Sequence, residues 1–435
     1  MTDGLSIFWF RRDLRLEDNA GLFAALESGC PVLPIFIFDP EILGSLPEDD
    51  ARVSFIHQKL QHMREKLSRD YQRSLAIYHG NPVSVFKKLI ASHQIKAVYT
   101  NEDYEPYARN RDKKIDDLLS SQNIDFYTFK DQVVFAKNEI TKDDGNPYVV
   151  YTPFMRKWKS NLNPAKHLNQ FDCRNLFHKL AGLTDLPNLS LQDLGFIPSK
   201  IQIPDYHIAL SLLDKYGETR DYPALSGTSR LGPHLRFGTI SIRQLVKKGL
   251  ASKDETFLNE LIWREFFMQI LWHFPRTVHE SFKKKYDGIV WRNNEEEFDK
   301  WKTGQTGYAL VDAGMRELNT TGYMHNRVRM LVASFLCKHL LIDWRWGEAY
   351  FAEKLLDFEL SSNVGNWQWA SGSGVDAAPY FRIFNPMTQI EKFDKQRVYI
   401  KKWVPEFDTS DYPEKMVDHK MARERCLTVY KAALN

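Results

Sequence analysis

Residues 355–386, LLDFELSSNVGNWQWASGSGVDAAPYFRIFNP, combine acids, amides, two tryptophans and an arginine in one short stretch. Trp367 and Trp369 are followed by Tyr380, Phe381 and Phe384. Large aromatic rings interleaved with hydrogen-bonding side chains are typical of a concave site that holds a flat, polar ring system. A buried turn with a tryptophan-rich core patch has the same composition, so both interpretations stay open at this point.

An earlier segment, NELIWREFF at residues 259–267, carries polar and aromatic side chains at helical spacing. Glu260, Trp263 and Arg264 stand at i, i+3 and i+4, which places a carboxylate, an indole and a guanidinium on one helix face. Such a face can bind a ligand. It can equally be an Arg–Glu pair beside a core tryptophan.

The segment MHNRVRM, residues 324–330, repeats this geometry. Asn326 and Met330 are one helical turn apart, Arg329 shares much of their face, and Arg327 is predicted to point elsewhere. A buried Arg329 would need an acid, and we expect Asp357 to be its partner.

The loop GTSRLGPHLRFGTIS, residues 227–241, places glycines and small hydroxyls ahead of helical sequence. Thr228, Ser229 and the backbone amides up to Gly232 can cradle a diphosphate at a helix N-terminus. An ordinary capped loop is the alternative.

Length and composition set limits on the protein class. The 435 residues predict two domains, and the net charge of +3 means that any attraction for nucleic acid must come from a local basic patch. The four cysteines are scattered without metal-ligand spacing, which favours free thiols, a reducing compartment and no metal site. Because no apolar run has the length of a membrane span and no leader pattern opens the chain, we expect a cytoplasmic protein without membrane contact.

Strand-like apolar runs recur in the first third of the chain, at residues 5–10, 32–38, 74–78, 97–100 and 124–129. Amphipathic segments such as Arg52–Asp70 and Val83–His93 separate them, which predicts βαβ units and a parallel sheet. Residues 1–130 are therefore predicted to form a Rossmann-like α/β domain. The first strand is followed by FRRDLRLEDN rather than GxGxxG, so the dinucleotide fingerprint is absent.

The alternation of strands and helices ends after residue 130. Residues 131–203 are rich in Pro, Gly, Asn, Ser and Lys, and predict a long connector with some helical turns. From residue 204 to residue 435 helical periodicity dominates, with nine of the 11 tryptophans, which predicts an all-α domain.

Taken together, the motifs resemble the photolyase/cryptochrome family. The resemblance runs from FWFRRDLRLEDN through GNPYVVYTPF, GTSRLGPHLRFGTIS, NELIWREFF, TGYMHNRVRM and LIDWRWGEAYF to NWQWASGSGVDAAPYFRIFNP and YPEKMVDHKMARE. Within the family the chain is most similar to class I cyclobutane pyrimidine dimer photolyases. It resembles plant and animal cryptochromes less.

The resemblance implies that the helical domain binds FAD. Asn363 matches the residue that faces flavin N5, where a neutral amide can meet N5 without delivering a proton. Gly232 stands where a Ser is common, and Glu359 where an Asp is frequent. The positions matching the family's FAD contacts are Tyr216, Thr228, Ser229, Arg230, Leu231, Gly232, Arg264, Arg329, Asp357, Glu359 and Asn363.

The resemblance also implies a lesion site next to the flavin, formed by Glu260, Trp263, Asn326, Met330 and Trp369. Two indoles would stack on a splayed pyrimidine pair, while Glu260 and Asn326 would bond to the base edges. Glu260 can donate only when protonated, so a raised pKa is expected. Members acting on the (6–4) lesion carry a His pair in the 326–330 region; here His325 is alone.

Two further sets of residues match functional positions of the family. Trp367, Trp344 and Trp291 match a tryptophan chain that conducts electrons from the protein surface to the flavin, although each taken alone would be an ordinary core residue. Arg220, Arg327 and Arg382 match basic positions that contact the DNA backbone.

A second, light-harvesting chromophore is common in the N-terminal domain of the family. Members that bind folate carry a Glu where this chain has Ala108, so a deazaflavin or a second flavin is favoured, with Arg52 and Asp103 as contacts. An empty antenna site is the alternative.

The leading hypothesis is light-driven repair of cyclobutane pyrimidine dimers in DNA by a monomeric enzyme that uses photoexcited, reduced FAD. The alternatives are a blue-light photoreceptor without repair activity and a flavin-binding scaffold with a vestigial lesion pocket. Because the printed sequence ends at Asn435, shortly after the last motif, we expect no cryptochrome-like signalling tail.

Overall fold

The computed structural model describes residues 4–434. The chain forms two compact units, each built from three segments: Met1–Glu139, Ser160–Tyr206 and Leu231–Lys248 in the first, and Ile140–Lys159, His207–Arg230 and Gly249–Asn435 in the second. Part of the predicted connector thus belongs to each unit. The predicted domain boundaries at residues 130 and 203 stay predictions.

The first unit contains the predicted parallel sheet, with five strands in the order β3-β2-β1-β4-β5. The predicted ranges of β1 and β2 are matched, and those of the other strands are met within two residues. The strands are β1 Leu5–Phe10, β2 Val32–Phe38, β3 Ala76–His79, β4 Ile95–Asn101 and β5 Asp125–Phe129. The Rossmann-like α/β prediction is confirmed.

The central strands are buried on both faces, and for this reason their sequences are continuous apolar runs instead of alternating ones. Asn19, Asp39, Asp50 and Asn81 each cap the following helix by accepting a backbone N–H. The helices between the strands are α1 Ala20–Glu27, α2 Pro40–Leu43, α3 Ala51–Tyr71, α4 Pro82–Ser92 and α5 Pro106–Ser120.

The predicted connector holds two α-helices and two short 3-10 turns, separated by irregular segments. Its helices are α6 Tyr151–Asn161 and α7 Pro164–His167, and its turns are Arg174–Lys179 and Gln192–Leu194. The prediction of a long segment with some helical turns describes these residues well.

The rest of the described chain is helical, as predicted. Its helices are α8 Leu210–Leu213, α9 Tyr216–Thr219, α10 Gly232–Arg236, α11 Ile242–Ala251, α12 Thr256–His273, α13 Glu295–Thr303, α14 Ala309–Thr321, α15 Asn326–Ser334, α16 Trp344–Lys354, α17 Leu360–Ser371, α18 Pro386–Phe393, α19 Val398–Trp403 and α20 His419–Leu434. Two 3-10 turns, Pro275–Val278 and Lys284–Gly288, lie between α12 and α13. The apolar pattern of residues 326–341 is that of one helix, but α15 ends at Ser334, where a π-turn at Phe335–His339 follows it.

The core of the second unit is built largely from aromatic side chains. Trp301, Trp344 and Trp367 are buried in one cluster with Phe335 and Phe351. Of the helices within residues 4–434, none combines the length and the apolar character that crossing a membrane requires.

Candidate functional site

Two neighbouring cavities open in the second unit and share part of their wall. The first encloses about 590 Å³ and the second about 1150 Å³ of space between atoms, including solvent at the mouth. The shared wall consists of Asn326, Met330, Ser362, Asn366 and Trp369, from α15 and α17. The polar faces of α15 and α17 therefore point toward the two cavities.

An ion pair lies at the wall of the first cavity. The guanidinium of Arg329 donates to both carboxylate oxygens of Asp357, at 3.0 and 3.2 Å, and to the carbonyl of Met324 at 2.7 Å. The predicted pairing of Arg329 with Asp357 is confirmed. Side-chain exposures of 24% and 16% leave both groups accessible from the cavity.

Asn363 lies on α17 in the same cavity, and a neighbouring acid fixes its orientation. Its amide nitrogen donates to the carbonyl of Glu348 at 3.0 Å and to the Glu348 carboxyl at 2.8 Å. Burial raises the pKa of Glu348, and the hydrogen bond from Asn363 opposes that rise. Because both amide hydrogens are used, Asn363 presents its carbonyl oxygen, an acceptor, to the cavity.

Glu359 serves as the N-cap of α17. Its carboxylate accepts hydrogen bonds from the hydroxyl of Ser361 at 2.5 Å and from the backbone N–H of Ser362 at 3.0 Å. It also lines the first cavity. This carboxylate therefore starts the helix that carries Asn363, Trp367 and Trp369.

Charged residues from α12, from α15 and from the segment that follows α9 line the second cavity. Glu260 of α12 forms an ion pair with Arg220, and Asp221 accepts a 2.6 Å hydrogen bond from Arg327 of α15. Burial raises the pKa of Glu260, the Arg220 guanidinium opposes that rise, and the Asp221 carboxylate adds to it. The direction of the pKa shift therefore agrees with the raised pKa that was expected for Glu260.

The prediction that Arg327 points away from Asn326 and Met330 is wrong. Its guanidinium lies 3.9 Å from the Met330 sulfur and lines the second cavity with both residues. The long Arg327 side chain bends toward the carboxylate of Asp221. Because Asp221 is not part of α15, helical spacing alone does not predict this direction.

Aromatic side chains complete the second cavity. Trp263 and Trp369 both line it, and the Trp263 indole stacks on the ring of Tyr151, with centroids 3.6 Å apart and planes 7° apart. Asn326 approaches the Met330 sulfur at 4.0 Å across one turn of α15. All five predicted lesion-site residues therefore line one cavity: Glu260, Trp263, Asn326, Met330 and Trp369.

The predicted phosphate loop is held by tyrosines. Tyr216 is hydrogen-bonded to Ser229, and Thr228 lies 3.4 Å from the hydroxyl of Tyr323. Arg230 has a left-handed backbone, with φ +49°, and its guanidinium lies 4.7 Å from the Tyr323 ring centroid. Leu231 caps α10 and Gly232 is its first residue; both belong to the first unit. Tyr216, Thr228 and Arg264 line the second cavity.

The predicted tryptophan chain lies in the aromatic core of the second unit. Trp344 and Trp367 are buried there and Trp291 packs against the same cluster. Trp367 also lines the first cavity, and its ring centroid lies 6.2 Å from that of Trp301. The structure thus places a further buried indole, Trp301, beside the predicted chain.

The remaining predicted residues lie elsewhere. The guanidinium carbon of Arg382 lies 5.8 Å from the ring centroid of Phe384. Arg52 pairs at 2.5 Å with Asp50, the N-cap of α3, and Asp103 pairs with Arg12 at 3.1 Å near the carboxyl ends of β1 and β4.

Four residues of this site were missed at the sequence level: Tyr151, Asp221, Tyr323 and Glu348. Each acts on a residue that was predicted, by stacking on it or by hydrogen bonding to it. Tyr151, Tyr323 and Glu348 stand inside quoted motifs and Asp221 follows Arg220, but spacing and composition gave none of the four a role.

The residues present fit FAD. The first cavity offers an ion pair, an amide oxygen fixed by Glu348 and the aromatic walls Phe351, Phe358 and Trp367, which suits a flat ring with both donors and acceptors. Within the second unit, the hydroxyls of Thr228 and Ser229 suit a diphosphate. Fold and site together define a two-domain flavoprotein with a parallel-sheet α/β unit and a helical FAD-binding unit.

Comparison with known families agrees with this class. Residues 6–172 match the family model described as DNA photolyase, and residues 257–409 match the FAD binding domain of DNA photolyase. The chain belongs to the DNA photolyase family. It is 38% identical to the deoxyribodipyrimidine photo-lyase of Halobacterium salinarum, over 99% of both chains, and 34% identical to that of Escherichia coli, over 98% of both.

Solved structures show the same similarity. A class III photolyase from Agrobacterium tumefaciens superposes with a TM-score of 0.86 at 34% identity, covering 100% of this chain and 98% of that one. An archaeal photolyase from Sulfolobus tokodaii with two FAD molecules superposes with a TM-score of 0.84 at 35% identity, covering 98% and 100%. Because one of these relatives is a class III enzyme, the similarity to class I stays a prediction.

Proposed function

We propose that this protein is a deoxyribodipyrimidine photo-lyase that repairs cyclobutane pyrimidine dimers in DNA with light. The supporting observation is the shared wall of the two cavities: one suits a flavin, and the other combines two indoles, an amide and an acid of raised pKa. Full-length relatives that are 33–38% identical carry the same activity in their names.

The first cavity would hold the isoalloxazine ring, with Arg329, Asp357 and Asn363 as its polar contacts. The carbonyl oxygen of Asn363 accepts a hydrogen bond, so it favours a ring nitrogen that carries a proton, as in reduced flavin. When bound in its reduced form and excited by light, FAD supplies the electron that splits the dimer.

The second cavity would hold the dimer. Trp263 and Trp369 offer indole faces for stacking, and each base–aromatic stack is worth about 1–3 kcal/mol. Burial raises the pKa of Glu260, and in its protonated form Glu260 would donate a hydrogen bond to a pyrimidine carbonyl on which negative charge develops. Asn326 would bond to the other base edge.

A dimer in this cavity must leave the DNA helix, and enzymes of this kind flip their target nucleotides out of the duplex. Arg220, Arg327 and Arg382 would bind the phosphates on either side. Arg220 and Arg327 are neutralised by Glu260 and Asp221 in the free protein. Phosphates would therefore replace carboxylates as partners of these two guanidiniums when DNA binds.

Trp367, Trp344 and Trp291 would pass electrons inward under light to keep the cofactor reduced. We further propose a second, flavin-type chromophore in the first unit, with Arg52 and Asp103 as candidate contacts. The Sulfolobus tokodaii relative with two FAD molecules supports the flavin type. The amount of flavin released per chain on denaturation tests this, because a second flavin chromophore would raise it from one to two.

The repair assay uses the purified, dithionite-reduced holoprotein and an oligonucleotide with one thymine dimer, under near-UV or blue light. We expect intact thymines to appear only in illuminated samples. A protein that binds FAD but repairs nothing would be a blue-light photoreceptor instead. Cytoplasmic localisation and a monomeric state stay predictions.

A further inference from the structure

The motif GNPYVVYTPF brings one aromatic ring into the second unit without an assigned role. Tyr151, the first residue of α6, is 7% exposed and stacks face to face on Trp263. The centroid separation of 3.6 Å and the interplanar angle of 7° are those of two rings in full contact. One face of the Trp263 indole is therefore covered by Tyr151.

The Tyr151 ring is itself fixed at both ends. Its hydroxyl donates to the carbonyl of Asn259 at 2.8 Å, one turn before Trp263 on α12. Its backbone N–H donates to the carboxylate of Asp376 at 3.3 Å, and Asp376 has a left-handed backbone with φ +46°. A side chain anchored at the hydroxyl and at the backbone has few rotamers left, so it makes a rigid support.

Helix α6 reinforces this support by packing on α12 along one face. Phe154 contacts Phe266 with ring centroids 5.3 Å apart, and the Trp158 indole donates to the buried carboxylate of Glu265 at 2.6 Å. Tyr151, Phe154 and Trp158 stand at helical spacing, so a single face makes all three contacts. The helix that carries Trp263 is thus held in place by the segment 151–158.

We propose that Tyr151 is a positioning residue for the lesion: its ring fixes the plane of the Trp263 indole so that a pyrimidine dimer can stack in the second cavity. This role rests on the proposed function. An indole held in one plane loses less conformational freedom when a base stacks on it, which increases affinity for the dimer but not for undamaged DNA.

The test compares Tyr151→Leu, which removes the ring, with Tyr151→Phe, which keeps the ring and removes the hydroxyl. Tyr148→Leu is the matched control, because Tyr148 contacts Phe154 from the same segment. For the FAD-loaded variants, we expect Tyr151→Leu to weaken binding to a dimer-containing oligonucleotide by about tenfold. Binding to the undamaged strand and flavin content should stay unchanged, and Tyr151→Phe should bind nearly as the wild type does.

A double-mutant cycle with Trp263→Leu isolates the contact. If Tyr151 acts through Trp263, adding Tyr151→Leu to Trp263→Leu should cost no further affinity for the dimer. Equal losses by Tyr151→Leu and Tyr151→Phe, or equal losses toward damaged and undamaged DNA, would overturn the role.

A readout without DNA separates this role from the repair activity itself. In the holoprotein labelled with 5-fluorotryptophan, the ¹⁹F resonance of Trp263 is assigned through Trp263→Phe. The ring current of the stacked Tyr151 should change the chemical shift of the Trp263 resonance. Tyr151→Leu should remove this change in chemical shift, and Tyr151→Phe should keep it. If the Trp263 resonance has the same position in Tyr151→Leu as in the wild type, the positioning role is refuted even if repair is observed. If the wild-type protein does not bind dimer-containing DNA more tightly than undamaged DNA, the proposed function is refuted.

Discussion

The two units arrange their charged side chains in different ways. In the first unit, Arg243 donates to Asp18 at 2.9 Å and to Asp131 at 2.8 Å, and Arg15 donates to Asp131 at 2.5 Å. The side chains of all four residues are at most 9% exposed. Burial alone would raise the pKa of Asp131, but the two guanidiniums hold it below its usual range.

In the second unit, the ion pairs Arg220–Glu260 and Arg327–Asp221 lie at the wall of the second cavity. Side-chain exposures are 35% and 38% for Arg220 and Glu260, and 20% and 36% for Arg327 and Asp221. The pKa of Glu260 is raised, in contrast to that of Asp131. An ion pair that is partly exposed, here called open, can exchange its partner for a ligand. In a fully buried, closed pair, the loss of one partner leaves an uncompensated charge and destabilises the fold.

The largest expected effect follows from breaking the closed network of the first unit. Asp131→Ala leaves Arg15 and Arg243 buried with one acid fewer, and removing one partner of a buried pair costs about 3–5 kcal/mol. We expect the free energy of unfolding, measured by urea denaturation, to fall by about that amount. Because chains of this length can unfold in steps, the transition that reports the first unit is the relevant one.

Asp117→Ala is the matched control in the same unit. Asp117 pairs with Lys113 at 2.8 Å, and the two side chains are 64% and 71% exposed. We expect no measurable change in the urea midpoint, because exposed pairs are screened by water. Equal effects of Asp131→Ala and Asp117→Ala would remove the distinction between closed and open pairs.

The second unit should instead respond in function when a buried side chain is changed conservatively. Trp367→Phe keeps an aromatic ring in the core but replaces an oxidisable indole with a phenyl ring that is much harder to oxidise. We expect light-driven reduction of the bound flavin, followed by its absorbance, to slow to a small fraction of the wild-type rate. Repair by chemically reduced protein should be nearly unchanged.

Trp301→Phe is the control for this prediction, because Trp301 lies beside Trp367 in the same core. If it slows photoreduction as much as Trp367→Phe does, electrons do not follow the predicted chain alone. If Trp367→Phe lowers repair and photoreduction equally, the separation of the two roles is wrong.

Changes to the open Arg220–Glu260 pair should affect repair of the substrate more than the stability of the fold. Glu260→Ala removes a hydrogen-bond donor from the site of developing charge, which costs about tenfold to a hundredfold in repair yield. Flavin content and the urea midpoint should change little, because the remaining Arg220 is partly solvated. Loss of flavin in this variant would place Glu260 in the cofactor site instead.

The fold was predictable to a large extent, because its signals are local. Continuous apolar runs marked β1 and β2, and helical spacing at residues 259–267 marked the middle of α12. Residues 326–341 were harder, since a π-turn keeps the apolar pattern of a helix while changing its hydrogen bonds. The interleaving of segments between the two units depends on long-range packing, which periodicity does not encode.

For the site, residues that touch a cavity were predictable through motifs, but the side chains that orient them were not. Asp357 was found because a buried arginine needs an acid. Arg327 was misplaced because its direction depends on Asp221, a residue distant in sequence. Glu348 and Tyr151 act through contacts across helices, so neither spacing nor composition reveals them.

The smallest expected effect is a pH dependence that reports the open Glu260–Arg220 pair directly. Burial raises the pKa of Glu260 above its ordinary 4.5, so the protonated, donating form persists to higher pH than in an exposed glutamate. As pH rises through that pKa, the donor is lost, and the repair yield of the dimer-bound protein should fall severalfold. Glu260→Gln donates at every pH, so its yield should show no such decline. Arg220→Leu removes the charge that opposes the rise, and should therefore move the decline to higher pH. A decline that stays in place in both variants would assign it to another group, and the open pair would then have no part in the chemistry.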